Sequence, residues 1–149
     1  MIRQDIFNSI KYERERAISL HTWPKKMSHQ IAVICEERGE ATRAALNCVY
    51  EGGSIEAVVK EVTEVSATAY RLLENNGYSF HEIRKHVERE IYIQKKLDST
   101  TDDLIEKILK IEKEVGRLLN CSGIDIYFNC FRIIGACVIF LEERKLIIS

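Results

Sequence analysis

Apolar residues recur along the chain at intervals of three and four and nowhere alternate for long with polar ones. That rhythm belongs to helices with one buried face, and without a sustained period of two there is no strand to predict. Only Pro24 and a few turn clusters interrupt it. The pattern predicts an all-α, multi-helix bundle. A first helix runs from about Asp5 to Leu20, upstream of Pro24, whose ring pushes Trp23 towards an extended conformation. Ser28 is the expected N-cap of a second helix reaching about Tyr50. Glu51-Gly52-Gly53-Ser54 then reverses the chain, and Ser54 caps a third helix to about Asn76. A fourth, capped by Ser79, reaches about Lys96. Thr100 and Asp103 have capping-box spacing ahead of a fifth, which ends near Asn120. The last helix, Asp125 to about Lys145, is apolar nearly all round from Ile126 to Leu141. Asn129 and Arg132 interrupt a run already marginal in length for a membrane, so the expectation is a helix buried in the bundle or at a subunit contact, with no membrane partner.

Two of these stripes carry charge where apolar residues are due. Steps of three and four from Val33 give Val33, Glu37, Glu40, Ala41, Ala44 and Cys48. On the third helix they give Val58, Glu61, Val62, Val65, Ala69 and Leu72, with Glu64 one turn beyond Glu61. A carboxylate where a helix meets its partner is costly unless its charge is compensated. Four facing one another repel, and protons or a cation must resolve the conflict. All are oxygen donors with no His or Cys beside them, which suits hard cations such as Mg2+ or Mn2+. Ordinary surface glutamates on charged helices would give the same spacing, because Glu is a good helix former. Spacing alone leaves both readings open.

Composition narrows the function classes. A chain of 149 residues with 46% apolar and 30% charged positions is enough for one ordinary globular domain. Its net charge of −1 supplies no field for nucleic acid, and the basic pairs Lys25-Lys26, Arg84-Lys85 and Lys95-Lys96 are scattered. Cys35, Cys48, Cys121, Cys130 and Cys137 form no Cys-x-x-Cys, and no signal peptide precedes them, so a reduced, cytoplasmic setting is expected. No Cys/His cluster has zinc spacing, no glycine-rich phosphate loop or nucleophile elbow occurs, and there is no Glu-x-x-His pair for a di-iron bundle. His29, His81 and His86 show no partner pattern and are expected at the surface.

Glu36-Glu37-Arg38-Gly39-Glu40 and Glu61-Val62-Thr63-Glu64 resemble the Glu-Glu-x-x-Glu … Glu-x-x-Asp pattern of the all-α nucleoside triphosphate pyrophosphohydrolases, the MazG-like family related to dimeric dUTPases. The gap from Glu40 to Glu61 fits that family's loop range. Upstream, Glu13-Arg14-Glu15-Arg16 and His21-Thr22-Trp23 are similar to small phage-type members, so the likeness covers about the first half of the chain. Glu64 departs from the pattern, standing one methylene longer than the family's Asp. The resemblance implies hydrolysis of a nucleoside or deoxynucleoside triphosphate to monophosphate and pyrophosphate, with Mg2+ (or Mn2+) as cofactor and a housecleaning role. It makes Glu37, Glu40, Glu61 and Glu64 the metal ligands. Glu36, a hundred degrees round the helix, orients the attacking water or supports the ligands. Among substrate-binding candidates, Trp23 with His21 beside it could stack on a base, and Lys25, Lys26 and Arg71 could meet phosphates. Loop packing for Trp23 and plain solvation for Arg71 are the alternatives. A catalytically silent nucleotide-binding or assembly module on the same bundle is the rival reading.

A weak internal repeat accompanies this layout. Glu13-Arg14-Glu15 recurs as Glu88-Arg89-Glu90, and Ala45-Leu46-Asn47 as Leu118-Leu119-Asn120. Ala67-Thr68-Ala69 with Leu72-Leu73-Glu74 resembles Ala136-Cys137-Val138 with Leu141-Glu142-Glu143. If a three-helix unit is duplicated, Cys130 and Ile133 occupy the places of Glu61 and Glu64, and the second half has lost the site. A pseudo-two-fold would then relate residues 1–76 to 78–147, and one chain would stand in for the homo-oligomer usual in the resembled family. Chance similarity among helical sequences is the alternative.

Overall fold

A computed structural model describes residues 3–20, 22–97 and 101–148, and among them the regular structure is entirely helical. The bundle comprises α1 (Arg3–Leu20), α2 (Met27–Tyr50), α3 (Ile55–Asn75), α4 (Phe80–Leu97), α5 (Leu104–Leu118) and α6 (Asp125–Ile148). The three-and-four rhythm becomes buried surface as expected. Val58, Val62, Val65, Ala69, Leu72 and Leu73 of α3 are buried together with Cys130, Phe131, Ile133, Ile134, Cys137 and Val138 of α6. Each such aliphatic or aromatic side chain contributes about 1.5–3 kcal/mol on leaving water.

α3 and α6 pack on each other at the centre. α1 and α2 flank α3, α4 and α5 flank α6, and α2 also packs on α5. Exchanging α1 with α4, α2 with α5 and α3 with α6 leaves the principal neighbour pairs unchanged. No described helix is long and apolar enough to cross a membrane. α6 is instead a core helix, and its polar interruptions have partners: Asn129 Nδ2 donates to the Glu114 carbonyl at 2.6 Å, and Arg132 lies 3.8 Å from Glu90.

Helix ends follow local chemistry. Ser54 Oγ accepts from the Ala57 N–H at 3.2 Å, and Ser79 and Glu82 bond each other's backbone N–H groups at 3.1 Å in a full capping box. At Gly52 and Gly77 the backbone takes φ of 73° and 99°, left-handed values that a Cβ opposes, and these glycines end α2 and α3. Two expected caps move. Ser28 is not the N-cap of α2: the helix starts earlier, behind Lys26, whose carbonyl receives the His29 and Gln30 N–H groups at 3.0 Å. The buried Gln30 amide fixes that start by donating to the Lys25 carbonyl at 3.1 Å. For α5 the cap is Asp103 itself, accepting from the Glu106 N–H at 3.0 Å, while Thr100 lies outside the described residues.

Candidate metal centre

The short turn through Gly52 and Gly53 lays α3 back along α2, so charged positions on their facing stripes must meet. Glu37 and Glu40 sit three residues apart on α2, as do Glu61 and Glu64 on α3. One carboxylate oxygen from each lies within 4.8 Å of the others, the convergence that the stripes implied. Glu40 is exposed and the other three are partly buried. Glu37 Oε2 and Glu61 Oε2 are cut off from solvent and have no hydrogen-bond partner. Burial, then the charges of Glu64 and Glu40, push the Glu37 pKa up to about 8. Burial and a hydrogen bond shared with Glu64 raise Glu61 to about 7. Two orphaned carboxylate oxygens in an all-oxygen cluster fit a hard divalent cation, which would supply the missing partners and offset the repulsion.

Next to this cluster opens a cavity of about 450 Å³, lined on its acidic side by Glu36, Glu37, Glu40 and Glu64. Glu13, Arg14 and Arg16 of α1, Trp23, and Arg71 of α3 line the same cavity. Arg14 is 13% exposed, lies 3.1 Å from Glu74, and its buried Nε has no partner. Arg16 is held by Glu13 at 2.5 Å and reaches Glu64 at 3.6 Å. Arg71 stands over the Trp23 ring, 4.9 Å from its centroid, and the buried indole N–H has no acceptor. Burial and the neighbouring charge of Arg14 lower the Arg71 pKa. Two guanidiniums crowded on one wall of a cavity are a standing demand for an anion.

The sequence-based candidates divide accordingly. Glu36, exposed, joins Glu37, Glu40, Glu64, Trp23 and Arg71 around the cavity, while Glu61 completes the cluster behind them. Lys25 and Lys26 do not join: both are exposed beside the start of α2, off the cavity wall. His21 lies outside the described residues. His86 is not a plain surface residue, since its ring stacks on Phe131 at 4.5 Å. Within the first acidic signature Arg38 turns the other way, 3.2 Å from Glu112 of α5, which also accepts from the Thr42 hydroxyl at 2.6 Å. Sequence reasoning gave no role to Glu13, Arg14 and Arg16. Their one signal was the run Glu13-Arg14-Glu15-Arg16, which marked the resemblance without showing that α1 packs on α3 and delivers it to the site.

No protein-family model matches the chain, and neither a curated protein nor a solved structure matches it.

Proposed function

We propose that the protein is a Mg2+-dependent (or Mn2+-dependent) nucleoside triphosphate pyrophosphohydrolase of the MazG-like kind, releasing nucleoside monophosphate and pyrophosphate in a cytoplasmic, nucleotide-housecleaning role. The observation that carries this reading is the meeting of both charges at one place: four converging carboxylates, three of which line a cavity that Arg14, Arg16 and Arg71 also line. A ligand suited to both charges must bring cations and anionic oxygens together, and a metal-chelated polyphosphate does so. Glu37, Glu40, Glu61 and Glu64 would hold the cation, whose chemistry when bound is to polarise phosphate and lower the pKa of a coordinated water. The arginines take phosphate oxygens in fork geometry. Glu36, exposed on the lining, is placed to orient the attacking water and accept its proton. Attack at the α-phosphorus breaks its bond to the α,β-bridging oxygen, and pyrophosphate leaves. Trp23, already covered on one side by Arg71, offers its remaining surface to a base.

The neighbour exchange among helices supports reading the chain as a covalent pseudo-dimer with one live half, because Cys130 and Ile133, at the places of Glu61 and Glu64, are fully buried among apolar side chains. The test of the activity is pyrophosphate release from a panel of nucleoside and deoxynucleoside triphosphates with Mg2+, repeated on Glu37→Gln and Glu61→Gln. Loss of at least about a hundredfold in both is expected from removing a ligand charge; unaltered turnover in both rejects the mechanism.

One observation favours a second reading. Glu64, longer than the Asp of the family pattern, already has Arg16 at 3.6 Å, as it would in a site that binds nucleotide without turning it over. Thermal stabilisation by Mg2+ plus a non-hydrolysable analogue, with no product in any condition, would select that alternative.

A further inference from the structure

We propose that Arg16 is a tethered counter-ion: it neutralises Glu64 while the centre holds no cation and passes to the phosphate oxygens of the ligand once a cation is bound. The proposal rests on the metal-centre reading above. Among the contacts of Arg16, those with Glu13 and Glu64 differ in quality. Towards its own helix, Nε and Nη2 both bond the Glu13 carboxylate, at 3.1 Å and 2.5 Å to Oε1, and Nε also lies 3.2 Å from Oε2. Towards α3, Nη2 lies 3.6 Å from Glu64, close enough for attraction but beyond hydrogen-bonding length. The tether is therefore the Glu13 side, and the Glu64 side is the contact that gives way. Glu13 is only 15% exposed and lines the same cavity, so the guanidinium stays at the site when it leaves Glu64.

Its surroundings set the direction of transfer. Glu64 of α3 is its acidic neighbour across the gap, and Glu36, Glu37, Glu40, Arg14 and Arg71 line the same cavity. A divalent cation on the glutamates cancels the attraction that draws Arg16 to Glu64 and repels the guanidinium at short range. A phosphate chelated by that cation would offer anionic oxygens in place of Glu64, which the planar guanidinium fork suits. Cation and Arg16 thus compete for Glu64, whereas Arg16 and polyphosphate cooperate.

Opposite signs on two ligands make this testable without turnover. Isothermal titration of the full chain with Mn2+ alone should give about threefold tighter binding in Arg16→Gln than in wild type, the size of one exposed ion pair. With Mn2+ saturating, inorganic tripolyphosphate should bind about tenfold more weakly to the same variant. Arg16→Lys, which keeps the charge but not the fork, should bind Mn2+ like wild type and recover only part of the tripolyphosphate affinity. A merely structural role would weaken both ligands together. Wild type that fails to bind Mn2+ removes the metal centre and this inference with it. Wild type that binds Mn2+, with Arg16→Gln equal to it or weaker, overturns the counter-ion role alone. Arg16 is 42% exposed, and should Arg16→Gln fail to fold, Arg16→Lys supports the proposal by the pattern above and overturns it by losing Mn2+ affinity.

Discussion

A carboxylate that loses water and gains like-charged neighbours keeps its proton to higher pH, and Glu37 and Glu61 are in that position, at about 8 and about 7. In the unfolded chain both return to ordinary carboxylate values. Between those limits the folded state binds more protons than the unfolded one, so folding stability falls as pH rises from about 4.5 to about 8. The expected outcome in a chelator is a melting temperature that declines through this window. Saturating Mg2+, which replaces the protons, should flatten the decline, and its stabilisation should grow with pH. A series of thermal melts at stepped pH, with chelator or Mg2+, measures both; a melting temperature that climbs over the window in chelator contradicts the cluster's burial. Glu37→Gln removes the most strongly shifted group. It should raise stability near pH 8 in chelator and abolish most of the Mg2+ response, whereas simple damage to packing would lower stability at every pH.

Between elements, single polar and small residues set how closely helices approach. Asn129 is buried on α6 and satisfies the Glu114 carbonyl in the last turn of α5. Asn129→Leu removes that buried hydrogen bond and should cost about 0.5–1.5 kcal/mol in denaturant unfolding. A Cβ on Gly135 would stand 3.2 Å from the Gln94 amide and 3.3 Å from Glu90 Cβ, so Gly135→Ala must displace Gln94 and crowd α4 by a few tenths of an ångström. About 1 kcal/mol of destabilisation is expected by the same measurement. Helix existence was legible in the sequence because periodicity reports which face is buried, and Ser54 and Ser79 were legible because their caps need only neighbouring residues. The start of α2 was not, since it depends on Gln30 being buried against distant chain. The same distinction divides the site: spacing on two consecutive helices displayed the four glutamates, but the arginine wall arises from α1 packing across α3, a relation no local pattern encodes.

For the whole molecule, α3 and α6 form a central pair, each with two helices of its own and each the other's counterpart. A single-chain pseudo-dimer predicts a solution mass near 17.3 kDa by light scattering; a mass of twice that value or more would return assembly to separate copies of the chain. On α3, Glu64 lines the cavity and Glu61 completes the carboxylate cluster behind it, whereas on α6 Cys130 and Ile133, each 0% exposed, lie among apolar neighbours. Glutamate placed at those two positions would therefore make no second centre. It would strand charge in a dry interior, at several kcal/mol per ion, before any ion could arrive to reward it.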